Sequence, residues 1–136
     1  MKKHICLVTI IVCLLFVGCD KKLEEDISNK VISKFDNVEM VVNSFENDLI
    51  QYTIYNHSDK PITYMPQYYI ERQIDGTYHM SNITIFFAGS EETIDSNSSV
   101  TLTANMSSYY KTVESGKYRL LKEVNNSLIQ AEFEVK

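Results

Sequence analysis

Near its end the chain reads Ile129, Ala131, Phe133 and Val135 in strict alternation with Gln130, Glu132 and Glu134. Successive side chains of a β-strand point to opposite faces, so this stretch commits one face to a core and the other to water. The same period of two runs through Val38, Met40 and Val42, through Ile50, Tyr52 and Ile54, and through Tyr68, Ile70 and Ile74. It returns in Ile83, Ile85 and Phe87, in Val100, Leu102 and Ala104, and in Tyr118, Leu120 and Val124. Turn chemistry separates the runs: NHSDKP at 56–61, the Asp75-Gly76 pair, ESGK at 114–117, and Asn125-Asn126-Ser127. Seven or eight short strands with no helix among them specify an all-β fold, an antiparallel β-sandwich.

The other end of the chain follows different physics. Met1, Lys2, Lys3 and His4 precede the uncharged run ICLVTIIVCLLFVG at 5–18. A basic start followed by about fourteen apolar residues is the pattern of a signal peptide. The run is shorter than the roughly 20 residues a membrane-spanning helix needs, which leaves a retained helix as the alternative. Phe16, Val17, Gly18 and Cys19 resemble the lipobox of bacterial lipoproteins, with Phe16 where that motif prefers Leu. The resemblance implies that the Cys19 thiol receives a diacylglycerol and that the chain is cut before it. Residues 1–18 are then the lipoprotein signal peptide, and the protein is held on the extracytoplasmic face of the cell membrane by palmitate-type lipid.

Maturation also changes the chemistry that remains. Cys6 and Cys13 leave with the signal, so the mature 118 residues keep Cys19 alone and have no disulfide. One packed core must supply the stability, and the length suits one domain. Without Lys2 and Lys3, eleven basic residues face 18 acidic ones, a formal net charge of −7. That balance excludes the basic footprint of a nucleic-acid binder, and membrane attachment falls to the lipid. Residues 19–36 form a lipid-anchored linker. Leu23, Ile27, Val31 and Phe35 recur every four residues, which allows a short amphipathic helix, but the Lys- and Glu-rich filling favours a mobile stalk.

Several motifs of residues 37–136 resemble the bacterial Ig-like domain of Gram-positive lipoproteins. They are YTIYNHSDKPITY, YYIERQIDGTYH, TIDSNSSVTLTA, SGKYRLLKEV and the closing AEFEVK. The matching positions include Asn56, Ser58, Pro61, Tyr68, Ile70, Glu71, Asp75, Gly76, Gly116, Tyr118, Arg119, Leu120, Lys122 and Phe133. Tyr78 stands where the family has Trp, and Ser115 where it has Pro. The resemblance implies an Ig-like antiparallel sandwich of seven to eight strands and no catalytic residues. Gly116 suits a corner between the sheets, and Tyr118 can bury its ring while its hydroxyl bonds a loop carbonyl.

The residues themselves give little support to catalysis. His57 sits in a turn and His79 beside a hairpin, neither in metal-ligand spacing. Ser90 follows Gly89 without the second glycine of a nucleophile elbow. The acidic runs Glu24-Glu25-Asp26 and Glu91-Glu92 read as solvated surface, and a blocked Cys19 is no nucleophile. The sequence therefore carries no expectation of a catalytic residue, a metal or a cofactor. Nine tyrosines and no tryptophan leave outward rings that can grip a sugar or a protein, although ordinary edge packing accounts for such rings more often. Tyr52, Tyr68 and Tyr118 fall on the core phase, whereas Tyr55, Tyr69, Tyr109 and Tyr110 fall on polar phases or in loops. Phase also turns Tyr69, Glu71 and Arg119 outward on neighbouring strands. This makes a half-exposed ion pair beside a ring and a candidate binding surface. Arg72 and Lys122 then point inward and must snorkel to an edge. The expected role is a non-catalytic module binding a protein or glycan, or acting as an accessory domain. A secreted-side proteinase inhibitor of sandwich type is the alternative.

Overall fold

The computed structural model describes residues 25–136. The signal segment, Cys19 and the start of the expected linker lie outside them. Among the described residues, nine strands form two sheets. One is ordered β1 (Glu25–Ile27), β5 (Thr77–Ser81), β4 (Ile62–Ile74), β8 (Gly116–Val124), β9 (Ser127–Val135), with β6 (Glu92–Ile94) also on β4. The other is ordered β2 (Val38–Glu46), β3 (Leu49–Asn56), β7 (Ser98–Asn105). All these pairs are antiparallel, and the sheets enclose one core, so the structure is the sandwich that the alternation calls for.

Two-residue turns set the register of three hairpins. Asn47-Asp48, Asp75-Gly76 and Asn125-Asn126 all have positive φ at both positions, the geometry whose twist matches that of paired strands. Asn and Asp tolerate it because their short side chains bond locally. The NHSDKP turn is held differently. Asn56 is buried, and its Nδ2 donates to the carbonyls of Lys60 (2.8 Å) and Asp95 (2.9 Å), tying β3 to the loop after β6.

The expected corner is present. Tyr118 is fully buried, stacked on Phe133 with its edge against Tyr110, and its hydroxyl donates to the Glu114 carbonyl at 2.7 Å. Gly116 has φ of 150°, a conformation L side chains rarely adopt.

Three expectations of the fold need correction, and one gap explains two of them. β6 pairs β4 only at Ile62–Tyr64, and β5 only at Glu71–Ile74. The stretch of β4 between these has no strand on that side. Tyr109 and Tyr110, expected in an exposed loop, are buried there, and their hydroxyls donate to the carbonyls of Tyr68 and Ile70. They occupy places a neighbouring strand would otherwise fill. The run Ile83, Ile85, Phe87 is not a strand either. It crosses the gap as a loop in which Ile85 and Phe87 pack inward, Phe87 edge-on to Tyr68, while Phe86 is 93% exposed. Its alternation is real, but its backbone bonds no partner strand.

The third correction concerns the linker. From Glu25 onward it is docked on the domain rather than free. β1 pairs with β5, Ser28 N donates to the Tyr78 carbonyl (2.9 Å), and Ser33 N donates to the Leu128 carbonyl (2.7 Å). Ile32 bridges to Leu128 at the start of β9. Residues 25–33 thus form a strap from the β5 edge, across β4 and β8, to β9.

Candidate functional site

Alternation along β4 and β8 sends Ile70, Tyr118, Leu120 and Val124 to the inter-sheet core and Tyr69, Glu71, Arg119 and Leu121 to the opposite face. Glu71 and Arg119 are direct neighbours in register, as their phase requires. Yet the pair is not half-exposed: Glu71 is fully buried and Arg119 is 8% exposed. The strap lies over them. Arg119 donates through Nε to Glu71 Oε2 (2.7 Å), with Nη2 2.6 Å from the same oxygen. Ser28 Oγ of the strap donates to Glu71 Oε1 (2.6 Å) and accepts from Arg119 Nη2 (3.1 Å). Gln130 accepts from Nη1 (3.0 Å), and the guanidinium lies 4.1 Å from the centre of the Tyr78 ring. Every oxygen of the carboxylate is engaged, which is what a charge removed from water requires.

Tyr78 is locked into the same cluster. Its hydroxyl donates to Glu132 (2.9 Å), and burial, followed by that bond, pushes its pKa up to about 12. Arg72 provides a second lock on the strap. It donates to Glu25 (2.5 Å) and also to Glu114 of the loop before β8. The expected surface of Tyr69, Glu71 and Arg119 is therefore reduced to Tyr69. Its ring carries the Lys30 ammonium 4.2 Å from the centroid and lines a groove of about 390 Å³. Lys30 of the strap and Met80, Ile83 and Ile85 also line it.

Lys122 does not snorkel. It is 2% exposed and points between the sheets, where its ammonium donates to the Pro66 carbonyl (2.9 Å) and faces the Tyr64 ring. Pro66 lies in the bulge where β4 gains residues against β8 between Tyr64 and Tyr68. Burial lowers the Lys122 pKa to about 8, and Glu92 opposes the shift only in part. Glu92 is committed to the Tyr64 hydroxyl (2.5 Å). Of the two histidines, His57 stacks on Tyr55 at 5.7 Å with rings nearly parallel, and stands 3.7 Å from the exposed Glu39. His79 pairs across the strands with Ile27 of the strap.

The outer face of β2–β3–β7 has no covering segment among the described residues. Val41, Thr53 and Thr101 form one row across it, and Glu39, Tyr55 and Ser99 the next. Asn43 Nδ2 donates to the Thr53 hydroxyl (2.7 Å), which lies 2.9 Å from that of Thr101. The hydroxyls and amides of this sheet, together with the Tyr55–His57 pair, offer hydrogen bonds and an aromatic face. Alternation alone could have identified this face. The strap could not be read the same way, because its contacts are an ion pair and hydrogen bonds with residues far away in the sequence. A model of the bacterial Ig-like domain family matches residues 34–134. A search of curated proteins finds no match to the chain.

Proposed function

Because the chain belongs to the bacterial Ig-like domain family, whose members are typically non-catalytic modules, we propose that it is a binding module anchored outside the cell membrane by lipid on Cys19. The module offers the outer face of β2–β3–β7 to a protein or glycan at the cell surface. The observation carrying this reading is the strap. The chain that leads back to Cys19 is built into the opposite sheet through Glu25, Ser28 and Ser33. A tether fastened on one face leaves the other face free for a partner.

Metabolic labelling with radioactive palmitate tests the anchor. The wild-type protein takes up label and sediments with membranes, whereas Cys19→Ala takes up none and is found in the soluble fraction. Equal label in the two proteins overturns the proposal. The proteinase-inhibitor reading has one observation in its favour, the almost wholly exposed Phe86 on an uncharged loop. It requires that the mature protein block a protease that cleaves after aromatic residues, and that Phe86→Ala abolish the block.

A further inference from the structure

The loop at 82–91 is unusual for a chain in which 23% of residues are charged. From Asn82 to Ser90 it reads NITIFFAGS, with no charge at all. Phe86 at its middle is 93% exposed and Ile83 40%, although Ile85 and Phe87 of the same loop are partly buried. Exposed large apolar groups on one loop mark a surface that meets something other than water.

The position of the loop says what that is. It leaves β5 at Ser81, and Ser81 is paired in register with Glu25, the residue at which the described chain begins. Cys19 is six residues before Glu25. At about 3.3–3.6 Å per residue, six residues reach roughly 20 Å at full extension. A lipid on Cys19 therefore holds the start of this loop within about that distance of the bilayer. The strap adds to the same region. Val31, which follows Lys30, is 82% exposed, and the Lys30 ammonium lies over the Tyr69 ring in the groove that Ile83 also lines. In a chain this acidic, a lysine beside uncharged apolar residues is the composition that a lipid headgroup region tolerates.

We propose that the 82–91 loop is a membrane-contact surface, with Phe86 seated at the boundary between headgroups and acyl chains. This rests on the anchor reading above. The contact gives the lipid-held domain a fixed orientation, with β2–β3–β7 facing away from the membrane. No covalent step is involved, and the affinity needed is small because the lipid already holds the loop close to its target.

The absence of tryptophan makes the test direct. Phe86→Trp introduces a single fluorescent reporter at a site so exposed that folding is not at stake. The full-length lipidated protein is reconstituted into phosphatidylglycerol–phosphatidylcholine vesicles, with and without bromine on the acyl chains. Flotation is measured on the same samples. The proposal expects the Phe86→Trp reporter to shift to the blue and to lose roughly half its emission to brominated lipid. A Tyr55→Trp reporter on the opposite sheet should keep its emission. If the protein floats with the vesicles but the two reporters are quenched alike, the loop contact is overturned and the anchor stands. If it carries no lipid and does not float, the anchor reading fails and the contact fails with it.

Discussion

The outer faces of the two sheets are built from the same alternation and end up in opposite states. On β3 and β7 the outward residues are Gln51, Thr53, Tyr55, Thr101 and Thr103, neutral groups of which all but Thr53 are at least partly exposed, with the Thr53 and Thr101 hydroxyls 2.9 Å apart. On β4 and β8 they are Glu71, Arg119 and Leu121, and all three are buried although they point away from the inter-sheet core. The difference is the strap. It turns one solvent face into a second interior, small and ionic, whereas the first interior is large and apolar. An outward phase shows which face a residue occupies, but not whether that face is wet.

Substitutions should report this difference in order of size. Arg119→Ala leaves Glu71 as an unpaired buried charge and should cost about 3–5 kcal/mol. That is a large part of the roughly 5–15 kcal/mol expected for a domain. A denaturant melt showing under about 1 kcal/mol would mean that the strap does not seal this face. Replacing both partners with apolar residues, as in Glu71→Leu with Arg119→Met, should recover much of the loss, since no charge is stranded.

Lys122 sharpens the contrast because it sits on the same strand as Arg119 with no carboxylate bonded to it. Its pKa is lowered to about 8 in the folded state, so between pH 8 and pH 10 the unfolded chain binds more protons than the folded one. Stability must then rise with pH across that window, by about 2 kcal/mol from this group. Above pH 10 the buried tyrosines reverse the trend, since burial raises the pKa of Tyr52, Tyr109 and Tyr110 and only the unfolded chain ionises them readily. Melts of the wild type and Lys122→Met from pH 7 to 10 check this. The rise should be absent in Lys122→Met.

Ser28→Ala removes a hydroxyl shared between Glu71 and Arg119 and should cost about 1–2 kcal/mol. Hydrogen exchange should show faster opening at the Ser28 and Ser33 amides while the β3 amides keep their protection. Uniform loss of protection would mean that the strap and sandwich open as one unit. The bare face should respond least. Thr101→Val breaks one hydroxyl contact at an exposed position and should change stability by less than about 0.5 kcal/mol.

Much of the fold could be read from local patterns. The inward residues of β2, β3, β4, β7, β8 and β9, the Asp75-Gly76 and Asn125-Asn126 turns, and the Tyr118 corner follow from periods and turn chemistry within a few residues. The same patterns placed Glu71 beside Arg119. Three features escaped because their causes are not local. Tyr109 and Tyr110 are buried by a gap between β5 and β6 that only the assembled sheet possesses. Phe86 sits in an alternating run that would read as a strand if a partner edge existed. The residues of the strap look like solvated stalk because Glu25 finds Arg72, and Ser28 finds Glu71 and Arg119, only across 43 or more positions in the sequence. The candidate site was least legible for the same reason, since burial by a distant segment decides which outward residues stay available.

The path of the strap also fixes an order of events in time. Ser28 and Ser33 are made before their partners Arg119 and Leu128, which follow about ninety residues later. Until β8 and β9 emerge, the strap has neither guanidinium nor carbonyl to close on. Closing a loop of this length is slow compared with forming the local hairpins. Docking of the strap therefore comes after the last hairpin has formed.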